Sequence, residues 1–177
     1  MNNLSWFFLI ISPFLVTFAA GGISAAPWVP TLKRERDILL KNLSLKPGMV
    51  VYDLGCGDGI VLFAAAKQEP GIRAIGYEIS LVPYLLGKMH SLFSKQVSIR
   101  YRNFFKAPFA DADIVFCFLL AKCYPRLIKT LAAQLKPDAI VAVEAWPLQG
   151  PQPYQTLTAE KTLPVFLYTG AELKKYV

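Results

Sequence analysis

The chain has 177 residues, 54% of them hydrophobic and 18% charged, which is enough for one domain of ordinary size and a short additional segment. Its 19 Lys and Arg exceed its 12 Asp and Glu, giving a formal net charge of +7 with a single His. Because His90 is the only histidine, a His-based metal site or a Ser-His-Asp hydrolase triad is disfavoured. We interpret His90 as a surface or packing residue of a helix.

The cysteines and the basic residues indicate which kinds of site and partner the protein has. Cys56, Cys117 and Cys123 are odd in number and form no C-x-x-C pair. This pattern is typical of reduced core residues in a cytoplasmic protein, so neither disulfides nor a metal is predicted. The basic residues are scattered and are not interleaved with aromatic residues, which disfavours nucleic acid as a partner. Their excess favours anionic lipid head groups instead.

Residues 4–26 form an uncharged, apolar segment at the N-terminus. A stretch of about 20 apolar residues suffices to cross a bilayer, and Trp6 and Trp28 suit its two interfaces. The first two charged residues after the segment, Lys33 and Arg34, are basic, and Arg36 adds a third basic residue nearby. We therefore predict a membrane anchor over residues 1–26 that contacts membrane lipids, followed by a domain over residues 27–177 on the cytoplasmic side.

Two other interpretations of this N-terminal segment stay open. The small residues at 24–26 are typical of a signal-peptide cleavage site, although no basic residue precedes position 33 and a signal peptide normally begins with a basic region. Pro13 and the pair Gly21-Gly22 favour a re-entrant or interfacial segment, which would attach to the membrane without spanning it.

The next segment leads into a helix. Pro27 and Pro30 enforce an extended approach, and Thr31 is predicted to be the N-cap of a helix that runs to Leu43. Four leucines of this segment are predicted to face the core, namely Leu32, Leu39, Leu40 and Leu43. The sequence Lys46-Pro47-Gly48 then ends the helix and turns the chain into the first strand.

From there strands and helices alternate. Strands are predicted over 49–54, 74–78, 97–101, 113–118, 139–145, 154–162 and 165–169, and helices over 60–67, 82–93 and 124–135. This order favours right-handed βαβ crossovers and a parallel sheet. The apolar runs at 114–118 and 140–143 do not alternate with polar residues, as expected of central strands that are buried on both faces. The predicted fold is therefore α/β and Rossmann-like, with a doubly wound, mostly parallel sheet.

The first strand ends in an acid and a glycine-rich turn, Asp53-Leu54-Gly55-Cys56-Gly57-Asp58-Gly59. Such a turn between a buried strand and a helix lets the backbone approach a nucleotide-like ligand. Dinucleotide sites have G-x-G-x-x-G spacing with an acid about 20 residues further on, whereas this turn is G-x-G-x-G. It resembles motif I of the class I S-adenosylmethionine-dependent methyltransferases. An ordinary left-handed turn is the alternative interpretation.

Glu78 supports this resemblance because it ends the next predicted strand, where a carboxylate can accept hydrogen bonds from both hydroxyls of a ribose. A solvated strand-end acid is the alternative. The resemblance implies a seven-stranded sheet with its last pair antiparallel and S-adenosylmethionine as the cofactor. It also implies that the glycines leave room for the methionine moiety, that Asp53 orients its amino group and that Glu78 holds the ribose.

A finer resemblance covers about residues 27–169. The features that carry it are the hydrophobic N-terminal segment, Val29-Pro30-Thr31, the glycine motif at 53–59, Gly76-Tyr77-Glu78, Phe118-Leu119-Leu120 and Trp146-Pro147-Leu148. Together they resemble the membrane-associated protein-lysine methyltransferases that modify the c-ring protein of ATP synthase and the adenine nucleotide translocase. The resemblance implies a lysine acceptor, in a membrane protein. Arg and Ser are too sparse before residue 31 for a mitochondrial transit peptide, so a single pass through a bacterial inner membrane is expected.

The strand ends and the resemblance together define a predicted site. The predicted cofactor-binding residues are Asp53, Gly55, Cys56, Gly57, Gly59, Glu78, Ile79, Asn103, Phe104 and Phe118. The predicted substrate-binding residues are Pro30, Thr31, Glu144 and Trp146. Asn103 would contact the adenine edge and Phe104 would cover its ring, unless they are a loop residue and a core aromatic. Glu144 would hold the incoming ammonium or pair with a surface Arg. No catalytic base is predicted.

One departure from related enzymes narrows the acceptor. After the fourth strand the chain has Phe118-Leu119-Leu120-Ala121, where enzymes that methylate planar amino groups often have N-P-P-Y or D-P-P-Y, so adenine or glutamine methylation is disfavoured. Three alternatives stay open: a methyltransferase of a small molecule or lipid, a membrane-tethered nucleotide-binding module without catalysis, and a NAD-linked oxidoreductase. The last is weakened by the glycine spacing.

Overall fold

The structure is a computed structural model that describes residue 12 and residues 29–177. The predicted anchor at residues 1–26 and its lipid contacts lie outside the described residues except for Ser12. Within the described part of the chain, no helix combines the length and the apolar composition needed to cross a membrane. On this finding the predicted localisation, a single pass through a bacterial inner membrane, is wrong, and the described fold contains no membrane helix.

Helices and strands alternate from residue 33 to residue 101, as the apolar runs predict, and the last three strands follow one another without a helix between them. The helices are α1 at Lys33–Asn42, α2 at Ile60–Gln68, α3 at Leu81–Ser91, α4 at Tyr124–Gln134 and α5 at Gly170–Lys174. The strands are β1 at Val50–Leu54, β2 at Arg73–Glu78, β3 at Val97–Tyr101, β4 at Ile114–Cys117, β5 at Ile140–Glu144, β6 at Gln155–Leu157 and β7 at Val165–Thr169. Short 3-10 turns follow β3 and β4, at Phe104–Lys106 and Ala121–Cys123.

The seven strands form one sheet in the order β3-β2-β1-β4-β5-β7-β6. Strands β1 to β5 run parallel, and β7 is antiparallel to both β5 and β6. The α/β Rossmann-like prediction is thus confirmed. Asp53 of β1 lies beside Gly76 of β2 and Phe116 of β4, so the carboxyl ends of these strands meet at one edge of the sheet. The strand order reverses between β1 and β4, which is where open α/β sheets bind their ligands.

Each face of the sheet buries its own apolar core. On one face Leu127 and Leu131 of α4 pack with residues of the central strands. On the other face Leu39 of α1 and Leu62 of α2 do the same. Because β4 and β5 are covered on both faces, their sequences are apolar without alternation. The three cysteines are buried and free, namely Cys56, Cys117 and Cys123.

Several predicted element boundaries need correction. Thr31 is not the N-cap of α1, because Leu32 occupies that position and no side chain caps the helix. Leu32 is 65% exposed, unlike the other three predicted leucines, which are buried. The strand predicted over 154–162 is only Gln155–Leu157. Helix α5 was not predicted, because five residues are too few to show a helical period.

Candidate functional site

A cleft opens at the carboxyl ends of β1 to β4, the edge at which open α/β sheets bind their ligands. Most of the predicted site residues line it, namely Pro30, Thr31, Asp53, Gly55, Cys56, Gly57, Glu78, Ile79, Asn103, Phe104 and Phe118. Three predicted residues are not part of its lining: Gly59, Glu144 and Trp146. The sheet therefore brings the two predicted groups, for cofactor and for substrate, to the same edge.

The glycine turn forms the floor of the cleft. Gly55, Gly57 and Gly59 have φ values of +84°, +56° and +81°, in the left-handed region that other residues rarely adopt. The backbone amides of Gly55 and Cys56 donate to the carbonyl of Tyr77, over 2.9 and 3.1 Å, so the turn is attached to the end of β2. Gly59 is the N-cap of α2 and acts in the turn without lining the cleft.

Glu78 orders the turn from the other side. Its Oε2 accepts a hydrogen bond from the backbone amide of Gly57 over 2.9 Å. Its Oε1 accepts from the amides of Ile79 and Ser80, over 2.8 and 2.6 Å. The side chain is buried and lines the cleft. Since each carboxylate oxygen has two lone pairs, Oε2 keeps one for a ligand while it holds Gly57 in place.

Asp53 is the second buried acid of the cleft. Among the hydrogen bonds of the described residues, none uses its carboxylate. Burial raises its pKa well above the usual range, and the negative charges of Glu78, Glu144 and Asp58 raise it further. A carboxylate in these surroundings is stabilised by a cationic ligand, because a nearby positive charge favours the ionised form.

Aromatic rings form the wall after β3. The rings of Phe104 and Phe105 lie 4.3 Å apart between centroids, and both line the cleft. The guanidinium of Arg126 lies 4.2 Å from the centre of the Phe105 ring, a cation–π contact that stabilises the position of this ring. The side-chain oxygen of Asn103 accepts a hydrogen bond from the backbone amide of Phe105 over 3.0 Å, which orients the Asn103 side chain at the cleft.

Of the predicted substrate-binding residues, Pro30 and Thr31 line the cleft, whereas Glu144 and Trp146 contact residues of its lining. Thr31 Oγ1 donates a hydrogen bond to Glu144 Oε2 over 2.9 Å, and Glu144 is buried behind Thr31. Burial raises the pKa of Glu144 to about 7, the Thr31 hydrogen bond opposes this shift, and the charge of Glu35 adds to it. The Trp146 ring stacks with Phe118 at a centroid distance of 6.4 Å. Glu144 is therefore not a surface partner of an Arg.

Sequence reasoning missed nine residues that line the cleft. They are Val29, Asp58, Ile60, Val61, Tyr77, Ser80, Phe105, Phe116 and Leu119. Each of them lies within two positions of a predicted residue, so the strand-end turns themselves were the available signal. Glu35 was missed for a different reason: a charged residue in a helix is normally exposed, whereas this one is buried.

Comparisons with known proteins agree with this geometry. The family model described as "ANTKMT methyltransferase domain" matches residues 53–155. A protein-lysine N-methyltransferase of Saccharolobus islandicus is 30% identical over 154 residues, covering 84% of this chain and 96% of that protein. This relative is archaeal, so the bacterial assignment has no support from it.

Two further similarities concern a longer protein and a solved structure. A Xenopus laevis protein, named as a lysine N-methyltransferase of ATP synthase, is 30% identical over 126 residues, which cover 68% of this chain and 54% of that protein. The crystal structure of an RNA methyltransferase from Salinibacter ruber in complex with S-adenosylhomocysteine superposes with a TM-score of 0.75 at 27% identity. The match covers 80% of this chain and 93% of that one.

Proposed function

Since the chain belongs to the ANTKMT methyltransferase domain family and is an S-adenosylmethionine-dependent methyltransferase, we propose that it transfers the methyl group to the side-chain amine of a lysine in a protein. The name of its archaeal relative supports a protein-lysine acceptor. We assign this activity to a domain formed by residues 27–177.

The residues of the cleft fit the methyl donor. Asp53 would take the amino group of the methionine moiety, because its buried carboxylate has no hydrogen-bond partner among the described residues. Glu78 would accept the ribose hydroxyls beside the turn that it orders. Asn103 and Phe104 would contact the adenine, and Cys56, Ile79 and Phe118 would surround the ligand. When bound, S-adenosylmethionine supplies a methyl group on a cationic sulfur.

One observation carries the proposal of an amine acceptor: every charged residue buried within the described part of the chain is an acid. These residues are Glu35, Asp53, Glu78 and Glu144, in a chain whose formal net charge is +7. Buried carboxylates without basic partners are unfavourable, and a cationic ligand offsets that cost. A sulfonium donor and a lysine amine are the two cationic groups that meet in lysine methylation.

The chain's own part in the reaction is to align the amine with the methyl group and to exclude water. Thr31 and Pro30 line the acceptor end, and Trp146 extends it through its stack with Phe118. The lysine must lose a proton before it reacts. Burial of its ammonium against this partly apolar wall lowers its pKa, because burial disfavours the charged form, whereas the nearby carboxylates oppose this shift. We assign no residue as a dedicated base.

The acidic residues near the cleft also disfavour RNA as the methyl acceptor. The solved structure named as an RNA methyltransferase raises RNA as an acceptor, but Glu144 and Asp53 would repel phosphates near the reacting base. The chain also lacks N-P-P-Y or D-P-P-Y at Phe118–Ala121. An acceptor that is a small molecule or lipid, and a module without catalysis, are outcomes that the following experiment separates.

The test is methylation by the purified full-length chain. We would incubate it with S-adenosylmethionine carrying a labelled methyl group and with separate protein, RNA and lipid fractions of the source cells. The expected result is label in protein, located on lysine by mass spectrometry, and absent with an Asp53→Asn variant. Label confined to RNA, lipid or small molecules would contradict the lysine proposal. No label in any fraction, despite donor binding by calorimetry, would support the non-catalytic module.

A further inference from the structure

The Thr31 hydroxyl lies between the cleft and a buried carboxylate. Its Oγ1 donates to Glu144 Oε2 over 2.9 Å, and Thr31 also lines the cleft. A hydroxyl has one proton and two lone pairs. While its proton is directed to Glu144, the oxygen can only accept hydrogen bonds from a group in the cleft.

Glu144 has a second acid beside it. Glu35 of α1 is buried, and its Oε1 accepts from the backbone amide of Leu163 over 3.2 Å. The other oxygen, Oε2, is buried with no hydrogen-bond partner in residues 29–177. The charged or titratable groups that interact with Glu144 are Glu35 on α1, Asp53 on β1 and Cys117 on β4. No Lys or Arg of the described residues forms an ion pair with either glutamate.

The backbone holds these groups in this arrangement. Ala145, which follows Glu144, has a φ of +76°, a left-handed conformation that is unfavourable for a residue with a Cβ. Its amide donates to the carbonyl of Pro164 over 2.8 Å. Leu163, next to Pro164 in the β6–β7 connection, donates from its backbone amide to Glu35 of α1. This connection therefore contacts both the end of β5 and α1. Strained backbone of this kind is frequent at functional sites.

We propose that the Thr31 hydroxyl accepts a hydrogen bond from the incoming amine, and that Glu144 and Glu35 are positioning residues that determine the direction of this hydroxyl. This inference rests on the proposed function and deepens it, since it names the group that receives the acceptor nitrogen. Glu35 is the residue that it adds to the site.

Recognition of the amine by Thr31 should depend on pH, because the direction of the Thr31 hydroxyl depends on the protonation state of Glu144. When Glu144 is ionised, Thr31 donates to it and its oxygen accepts an N–H of the amine, which leaves the nitrogen lone pair directed at the methyl group. When Glu144 is protonated, its own proton can be donated to Thr31, and the hydroxyl proton turns toward the cleft and opposes the amine. Recognition of the amine therefore weakens as the pH falls through the titration of Glu144. The negative charge of Glu35 moves this range to higher pH.

The test is a comparison of two ligands by calorimetry with the full-length chain. Sinefungin carries an amine in place of the transferable methyl group, and S-adenosylhomocysteine has neither, so the ratio of their Kd values measures amine recognition without an acceptor protein. We expect wild type to prefer sinefungin by about tenfold or more at pH 8, as a hydrogen bond from a charged amine provides. The preference should be lost at pH 6.

Three variants separate this role from a structural one. Thr31→Val should lose the preference at pH 8, and Thr31→Ser should retain it. Glu35→Gln should keep the preference to lower pH, whereas Glu160→Gln on the exposed β6–β7 connection should match wild type. Unchanged affinity for S-adenosylhomocysteine serves as the folding control in each case. A Thr31→Val protein with the wild-type preference, or a Glu35→Gln protein with the wild-type pH midpoint, would overturn the inference.

The ligand comparison also separates this inference from the proposed function. A chain that shows the amine preference but methylates no lysine would contradict the proposed function alone. A chain that methylates lysine but shows no amine preference at pH 8 would contradict this inference alone. A chain that binds neither ligand would contradict both, because the donor site itself would then be wrong.

Discussion

The carboxylate of Glu78 accepts a hydrogen bond from the backbone amide of Gly57 over 2.9 Å, which joins the end of β2 to the glycine turn after β1. The same side chain accepts from the amides of Ile79 and Ser80. One buried acid therefore stabilises both loops at the donor end of the cleft and remains able to accept from a ligand. Its structural and binding contributions can be measured separately.

Glu78→Ala is expected to reduce both stability and donor affinity. It leaves three backbone amides without their acceptor, and a buried unsatisfied group costs about 1–3 kcal/mol. Glu78→Gln retains one oxygen acceptor, so its stability loss should be smaller while donor binding still weakens by about tenfold or more, as for a lost hydrogen bond to a charged group. Urea unfolding and calorimetry measure the two effects. Wild-type affinity for S-adenosylmethionine in Glu78→Gln would show that the ribose assignment is wrong.

Gly87→Ala in α3 is expected to weaken donor binding from outside the cleft. In an ordinary helix this change stabilises by about 1 kcal/mol. Here a Cβ at position 87 would lie 2.9 Å from the carbonyl oxygen of Asp58 and 3.0 Å from its carbon, so the backbone of the glycine turn must shift. Calorimetry should show a several-fold higher Kd for S-adenosylmethionine. Lys88→Ala, an exposed change in the same helix, is the control, and equal affinities in both variants would contradict the prediction.

Glu144→Gln is expected to change the pH dependence of stability. The pKa of Glu144 is raised from 4.5 to about 7, so the folded chain binds a proton that the unfolded chain has lost in this range. The stability contribution is fully present below about pH 4.5 and is lost as the pH rises through about 7, a difference of up to about 3 kcal/mol. Relative to wild type, the variant should gain stability between pH 4.5 and 8 in urea unfolding. Glu160→Gln should show no such trend. A Glu144→Gln curve of stability against pH that runs parallel to the wild-type curve would show that the pKa of Glu144 is not raised.

Trp146→Ala is expected to affect the acceptor and not the donor. The Trp146 ring stacks with Phe118, but it is 46% exposed and is not among the residues that line the donor cleft. We expect the KM for the acceptor protein to rise about fivefold to tenfold. This rise corresponds to the loss of about 1 kcal/mol, the contribution of one aromatic contact. Donor affinity should stay within about twofold. Phe93→Ala, which removes an exposed aromatic of the α3 end, is the control. An equal loss of donor affinity would instead assign Trp146 to the donor site.

Nine of the ten predicted cofactor-binding residues line the cleft, compared with two of the four predicted substrate-binding residues. Asp53, the glycine turn and Glu78 were predicted from local patterns, because apolar runs define strand ends and the strand-end residues lie beside their own turn. Once βαβ order was recognised, these ends had to meet at one edge of a parallel sheet. Phe105 shows the limit of this reasoning, because its neighbour Phe104 was predicted and Phe105 was not. The two rings differ in burial and in the contact of Phe105 with Arg126, and both differences depend on tertiary packing.

The acceptor end depended on the tertiary structure. Thr31 and Glu144 were both predicted to contact substrate, but their bond joins residues 113 positions apart. Thr31 was also predicted to cap a helix, since local chemistry favours that role, and instead its hydroxyl is directed to the end of β5. Glu35, a charged residue in a polar helix pattern, was not predicted to be buried at all.

By itself, the sequence determined the order of strands and helices and the position of the glycine turn. It also determined the two acids at the strand ends, Asp53 near the end of β1 and Glu78 at the end of β2. All of these follow from residues within one element or its adjoining turn, where hydrophobic period and backbone sterics act over a few positions. Only the tertiary structure decided which acids are buried together and which way the Thr31 hydroxyl points. Burial and charge–charge interaction depend on distances between elements that are remote in the chain, and no local pattern encodes those distances.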